Sequence, residues 1–243
     1  MQSVCYTHFH SNEVFRGDHN IQNKGDAYMF KLVIFDLDGT LLNTIGDLAA
    51  AGNHTLAEMG YPTHDEEKYR HFVGNGIPKL IERMLPAGTQ KPVIDLAYEM
   101  FMEYYSEHKC DHTKPYPGIP ELIRTLREHG VACGANSNKA NEFTQELIRL
   151  NFGDEITHVI GFGAGFEAKP DPGAALEIIR RAGVKPEESL YVGDSDVDIM
   201  TGHNAGIAVC AALWGFRGYD ELAAQKPTFF AHDAKELEKI ILG

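Results

Sequence analysis

Two groups of aspartates in this chain have a spacing that could serve chemistry. Asp36 and Asp38 stand two residues apart, and Asp194 and Asp198 follow much later. Residues two apart in an extended chain point to the same side. A carboxylate can act as a nucleophile, transfer a proton or bind a hard cation through oxygen. These groups therefore predict a polar site whose negative charge needs compensation.

The first of these groups follows a short apolar run. Lys31–Phe35 is β-branched and ends at Asp36, a pattern typical of a buried parallel strand. Similar runs recur downstream, and helical patterns lie between them; the runs are Val131–Ala135, Thr157–Ile160, Ser189–Val192, Ala205–Ala211 and Phe229-Phe230. Strands that alternate with helices predict a parallel sheet covered on both faces. We therefore expect an α/β fold with a Rossmann-like parallel sheet.

Polar residues stand at the ends of four predicted strands. They are Asp36 with Asp38, Asn136–Lys139, Lys169 beyond the Gly161–Gly165 loop, and Asp194 with Asp198. Ligands of open α/β sheets bind beyond the carboxyl ends of the strands. We therefore expect these side chains to meet at one edge of the sheet.

One segment lacks the strand pattern. Between Gly46 and about Lys114 the periodicity is helical only, and glycine- and proline-rich turns separate four candidate helices. The predicted organisation is a helical cap over 46–114 and an α/β core over 30–45 and 115–243. Residues 1–29 lack apolar periodicity, so we expect either a disordered N-terminal arm or an extension upstream of a start at Met29.

Composition excludes several kinds of function. A net charge of −13 disfavours binding to nucleic acid or to an anionic membrane. No apolar run reaches the roughly 20 residues of a membrane span, and the first residues do not resemble a secretory signal, so we expect a cytoplasmic protein. The cysteines Cys5, Cys110, Cys133 and Cys210 are too widely spaced for a zinc motif. A monomer or homodimer is expected.

The strand-end motifs together resemble the haloacid dehalogenase superfamily. Asp36-Leu37-Asp38-Gly39-Thr40, Ser137, Lys169 before Pro170, and Gly193-Asp194-Ser195 with Asp198 match its four motifs in order. The resemblance extends from Lys31 to the C-terminus. The predicted cap is similar to that of the phosphoglycolate phosphatase-like branch, which carries a helical cap after its first motif.

The resemblance implies a Mg²⁺-dependent phosphatase that acts through an aspartyl-phosphate. Asp36 is then the nucleophile and Asp38 the general acid and base, and neighbouring carboxylates are expected to raise the pKa of Asp38. Asp36, Asp194 and the backbone carbonyl of Asp38 would bind Mg²⁺, with Asp198 in support. Lys169 and Ser137 would stabilise the transferring phosphoryl group.

The cap is expected to select the substrate, a small phosphorylated metabolite with 2-phosphoglycolate as the first candidate. The predicted turn at Gly74 and Asn75, with Arg70, is expected to contact the distal end of the substrate. Thr40 and Asn138 complete the predicted substrate-binding residues.

Three other functions are compatible with the sequence. Pyrophosphatase or nucleotidase activity and β-phosphoglucomutase-like phosphoryl transfer would use the same residues. An inactive phosphate-binding regulator is the alternative that is not an enzyme, although no catalytic position is missing. The Gly161–Gly165 loop lacks the glycine spacing of a dinucleotide-binding motif.

Overall fold

The computed structural model describes residues 30–243 of the chain. The predicted N-terminal arm over 1–29, including Cys5, lies outside the described residues. In this range the strands are β1 (Leu32–Phe35), β2 (Leu42–Asn43), β3 (Lys114–Pro115), β4 (Ala132–Ala140), β5 (His158–Phe162), β6 (Ser189–Gly193), β7 (Ala208–Ala212) and β8 (Phe229–Ala231). The helices are α1 (Ile45–Glu58), α2 (Glu66–Phe72), α3 (Ile77–Met84), α4 (Lys91–His108), α5 (Ile119–Glu128), α6 (Asn141–Phe152), α7 (Gly173–Ala182), α8 (Asp196–Asn204), α9 (Tyr219–Ala224) and α10 (Ala234–Leu242).

A parallel sheet forms the centre of the described chain, in the order β5-β4-β1-β6-β7-β8. Alternate residues of β1 point to opposite faces, as the pleat of a strand requires. Val33 and Phe35 enter the apolar cluster that includes residues of α5, α6 and α10, whereas Leu32 and Ile34 enter the cluster that includes residues of α7 and α8. Both faces are therefore buried, which confirms the predicted α/β class and explains the continuous apolar run.

Helices α1 to α4 lie between β2 and β3 in the chain. Their apolar side chains form a hydrophobic cluster separate from the two clusters that flank the sheet. Its fully buried members include Leu56, Ile81, Phe101 and Tyr105. The two short strands pair antiparallel, Leu42 opposite Pro115 and Asn43 opposite Lys114, where the chain leaves and re-enters the core. We refer to α1–α4 as the cap. The predicted boundaries at residues 46 and 114 stay a prediction.

The structure differs from the sequence prediction mainly at the second strand of the core. β4 runs to Ala140, so Asn136 and Lys139 lie within the strand and not beyond it. The pairing of β4 with β5 continues to Ala140 through an irregularity after Ser137, which hydrophobic periodicity does not reveal. The ribbon of β2 and β3 was not predicted either.

Within residues 30–243, none of the helices has the length and hydrophobicity to span a membrane.

Asp47 connects the two crossings between core and cap. Its side chain is 1% exposed and accepts hydrogen bonds from the backbone N–H groups of His112 (2.8 Å) and Thr113 (2.9 Å). The first turn of α1 is thereby fixed to the segment that returns to the core. A buried backbone N–H without an acceptor lowers the free energy of unfolding, so the Asp47 carboxylate stabilises this junction between cap and core.

We expect Asp47→Ala to lower the free energy of unfolding by about 1–3 kcal/mol, because two backbone donors lose their acceptor. The matched control is Asp95→Ala on the surface of α4, where the ion pair with Lys91 is exposed and the expected change is within about 0.5 kcal/mol. Urea denaturation followed by circular dichroism measures both variants. Equal stability of the two variants would contradict the role given to Asp47.

Candidate active site

The order of the sheet brings three predicted site residues to its carboxyl edge. β1 lies between β4 and β6, so Asp36 after β1 has Ser137 of β4 on one side and Asp194 after β6 on the other. All three are buried. A cavity between this edge and the cap is lined from the core by Asp36, Asp38, Ser137, Asn138, Lys139 and Lys169. The convergence expected from the strand ends is therefore present.

Lys169 is placed by Asn138, which belongs to the neighbouring strand. The Asn138 Oδ1 atom accepts the backbone N–H of Lys169 at 2.8 Å, and Nδ2 donates to the carbonyl of Lys169 at 3.3 Å. Lys169 Nζ then lies 2.7 Å from Asp36 Oδ1 and 2.6 Å from Asp198 Oδ1. The contact with Asp36 is an ion pair outside hydrogen-bond geometry, and Oδ1 has no hydrogen-bond partner among the described residues.

Three buried carboxylates cluster around this lysine. Within the described part of the chain, Asp36, Asp194 and Asp198 each offer an oxygen, and these oxygens lie within 4.8 Å of one another. Burial, and next the charge of Asp198, raise the pKa of Asp36 well above its ordinary range, and the same two causes raise the pKa of Asp194 to about 7. One ammonium does not balance three carboxylates. The oxygen-only donor set and the excess negative charge fit a hard divalent cation such as Mg²⁺.

Asp194 is oriented by donors from two other segments. Thr40 Oγ1 donates to its Oδ1 at 3.0 Å, and the backbone N–H of Phe216 donates to Oδ2 at 2.7 Å. The backbone also approaches closely, because a Cβ at Gly39 or Gly215 would stand 2.3 or 2.2 Å from Asp194 atoms. The Thr40 side chain thus contacts Asp194, and its predicted role in substrate binding stays a prediction.

Asp198 is fully buried on the first turn of α8. Its Oδ2 accepts from the Ser195 hydroxyl (2.6 Å) and backbone N–H (3.1 Å), and its Oδ1 accepts from Lys169. This arrangement is a capping box. Both oxygens of Asp198 therefore have partners, consistent with a residue that supports the site by holding Lys169.

The surroundings of Asp38 differ from the expectation. We expected neighbouring carboxylates, but both oxygens of Asp38 contact the ammonium of Lys139, at 3.0 and 3.1 Å. The Lys139 side chain is 1% exposed. Sequence reasoning placed Lys139 at a strand end without a role. The position of Lys139 directly after Ser137 and Asn138 could have indicated a role in the site. The face to which an irregular strand directs a side chain, however, cannot be predicted from the sequence.

The predicted cap residues occupy different positions. The carbonyl of Gly74 accepts from Asn138 Nδ2 at 3.1 Å, and Gly74 lines the cavity. Asn75 accepts from Arg83, and Arg70 contacts Glu67 and the carbonyl of Gly215. Neither Asn75 nor Arg70 lines the cavity. Their contact with the distal end of a substrate stays a prediction.

A loop after β7, residues 214–217, connects the acidic cluster to the cap and was not predicted. The Phe216 backbone holds Asp194, whereas its side chain enters the apolar cluster of the cap. Arg217 donates to the carbonyls of Arg70 and Val73 (2.9 Å for Val73) at the end of α2. Trp214 Nε1 donates to the carbonyl of Thr40 at 3.0 Å. The position of Asp194 is thus tied to that of the cap.

Comparison with known proteins agrees with this architecture. The model of the family described as haloacid dehalogenase-like hydrolase matches residues 33–212. The phosphoglycolate phosphatase of Pseudomonas putida is 35% identical over 213 residues, which cover 85% of this chain and 78% of that protein. The phosphoglycolate phosphatase of Aquifex aeolicus is 32% identical over 212 residues, which cover 87% and 96%.

Solved structures have the same overall architecture. A protein from Lactobacillus delbrueckii subsp. bulgaricus matches with a TM-score of 0.85 at 30% identity, over 90% of this chain and 100% of that chain. The crystal structure of a predicted phosphoglycolate phosphatase from Haemophilus somnus matches with a TM-score of 0.81 at 29% identity, over 87% and 97%.

Proposed function

Since the chain belongs to the haloacid dehalogenase-like hydrolase family, we propose that it hydrolyses 2-phosphoglycolate through an aspartyl-phosphate on Asp36. That the chain is a phosphatase of phosphoric monoesters follows from the family and from relatives about 35% identical. The substrate and the roles of the residues are our proposal. The observation that carries it is the contact of Lys169 Nζ with Asp36 Oδ1 at 2.7 Å, in a cavity that Asp38 also lines.

Asp36 has the position of a nucleophile. It directly follows the central strand β1, is 6% exposed and faces the cavity. A free carboxylate oxygen attacks phosphorus, the bond from phosphorus to the ester oxygen breaks, and an aspartyl-phosphate forms. Repulsion between two anions about 4 Å apart amounts to about 4 kcal/mol at an effective dielectric of about 20. Lys169 offsets part of it from its place beside Asp36.

Asp38 transfers the protons. In the first step its carboxyl gives a proton to the departing alcohol. In the second step its carboxylate takes a proton from the water that attacks the aspartyl-phosphate, so that Asp36 and inorganic phosphate are released. Lys139 holds both oxygens of Asp38 and fixes the side chain. Ser137 faces the same cavity, where its hydroxyl can donate to a phosphoryl oxygen.

The side chains of Asp36 and Asp194 and the backbone carbonyl of Asp38 would hold Mg²⁺. The ion would supply positive charge for the phosphoryl oxygens. Asp198 is better suited to holding Lys169, because both its oxygens accept hydrogen bonds from protein groups. We propose that the protein acts in the cytoplasm, as expected from the sequence.

A substrate panel tests the choice of 2-phosphoglycolate. The panel contains a sugar phosphate, a nucleoside monophosphate, pyrophosphate and an aryl phosphate, each assayed with Mg²⁺. The highest kcat/KM is expected for 2-phosphoglycolate. A higher value for pyrophosphate or the nucleotide favours the second enzyme function, and conversion of β-glucose 1-phosphate to its 6-phosphate favours the mutase.

We expect Asp36→Asn to lower kcat on an aryl phosphate at least about a thousandfold, because the amide cannot act as the nucleophile. Asp154→Asn, an exposed residue beyond α6, is the control and should keep wild-type activity. Release of inorganic phosphate measures both variants, with and without Mg²⁺. Full turnover of Asp36→Asn, or wild-type turnover that ignores Mg²⁺, would refute the proposed mechanism.

We expect Gly215→Ala to raise the Mg²⁺ concentration for half-maximal activity about 10- to 100-fold. The new Cβ would stand 2.2 Å from the Cβ of Asp194 and must displace that side chain. Gly218→Ala is the matched control, since a Cβ there meets nothing within 4 Å. Titration of activity with Mg²⁺, supported by calorimetric binding of Mg²⁺, measures both. The same Mg²⁺ dependence in the two variants would argue against Asp194 as a ligand.

A further inference from the structure

Lys139 is a buried cation for which the proposed phosphoryl chemistry has no direct use. The phosphoryl group is served by Lys169, which contacts Asp36 and Asp198. Lys139 lies elsewhere in the same cavity, and its Nζ contacts both oxygens of Asp38. A lysine ammonium has three N–H donors, so contacts with Asp38 leave capacity for another acceptor.

The contact with Asp38 places Lys139 on the leaving-group side of the site. Asp38 must reach the ester oxygen that leaves, and Nζ lies 3.0 Å from its Oδ1. A charged atom two or three bonds from that ester oxygen would therefore come within reach of the ammonium. Lys169 cannot serve this atom, because it is engaged at the attacking side.

The cap contributes no charged side chain to the cavity. From the described cap residues, the lining consists of Leu48, Val73, Gly74, Gly76, Ile77 and Leu80. Burial of a carboxylate against such a surface is strongly unfavourable without a charged or hydrogen-bonding partner. An anionic leaving group in this cavity thus depends on a cation from the core.

Tyr105 supplies a second group beside Lys139. It belongs to α4, is fully buried, and its ring centroid lies 4.8 Å from Lys139 Nζ. Its hydroxyl interacts with the Lys139 ammonium, but no acceptor for its own O–H lies in hydrogen-bond geometry among the described residues. A buried O–H donor without an acceptor is unfavourable, so this donor next to a cation indicates a place for an acceptor.

We propose that Lys139 and Tyr105 form the subsite that selects a carboxylate on the leaving group. The inference rests on the proposed function and defines the substrate class as small phosphate esters whose alcohol carries a carboxylate close to the ester oxygen. Lys139 donates to this carboxylate while it remains beside Asp38, and the Tyr105 hydroxyl adds a hydrogen bond from the cap. The apolar residues of the cap limit the size of the alcohol.

The test compares 2-phosphoglycolate with 2-hydroxyethyl phosphate, which has nearly the same size and lacks the negative carboxylate. The measured quantity is the ratio of the two kcat/KM values. The wild-type protein should prefer 2-phosphoglycolate at least about tenfold, and Lys139→Met should reduce that preference at least about tenfold. Lys139→Arg should restore part of it. A general loss from disturbing Asp38 affects both substrates and cancels in the ratio.

Tyr105→Phe removes one oxygen and keeps the packing, so it tests the subsite if Lys139→Met does not fold. Its preference for 2-phosphoglycolate should fall about three- to tenfold, mainly through KM. Lys79→Met, an exposed position on α3, is the control and should keep the wild-type ratio. A wild-type ratio near one, or an unchanged ratio in Tyr105→Phe or in folded Lys139→Met, overturns the subsite. Absence of turnover on every phosphate ester overturns the proposed function instead.

Discussion

The ammonium of Lys169 lies between two buried carboxylates, and the arrangement of the surrounding chain depends on this charge balance. Its Nζ is 2.7 Å from Asp36 and 2.6 Å from Asp198, and Asp194 adds a third carboxylate nearby. Buried charges are tolerated only when they are paired and hydrogen-bonded. Separate segments provide these bonds: Asn138 of β4 positions the Lys169 backbone, Ser195 holds Asp198, and Thr40 holds Asp194. The order of the strands in the sheet therefore determines which side chains meet at the site.

The same constraint extends to the cap through the loop at residues 214–217. The Phe216 backbone donates to Asp194 while its side chain is buried among cap residues, and Arg217 binds the last carbonyls of α2. A movement of the cap away from the core would pull on the residue that orients Asp194. Cap position and the geometry of the acidic cluster are thus coupled by one short segment. In the same segment, Gly215 must lack a side chain because a Cβ there would stand 2.2 Å from the Cβ of Asp194.

Sequence reasoning recovered what local patterns determine. The apolar runs predicted each strand of the parallel sheet, and the helical periodicity after Gly46 predicted the four helices between β2 and β3. Strand ends then identified Asp36, Asp38, Ser137, Lys169 and Asp194 as a set. The ribbon of β2 and β3 was missed because two-residue strands carry no periodicity. The partner of Asp38 was missed because it depends on an irregular pairing between β4 and β5.

The proposed function divides selection of the substrate between the α/β core and the cap. We expected the turn at Gly74 and Asn75, with Arg70, to contact the distal end of the substrate, and this contact stays a prediction. Arg70 contacts Glu67 and the Gly215 carbonyl, and the cap side chains that line the cavity are apolar. In the proposed subsite, the core residue Lys139 selects for charge, whereas the cap limits the size of the alcohol and adds Tyr105. In a chain with a net charge of −13, one buried lysine would then both fix Asp38 and attract the anionic alcohol.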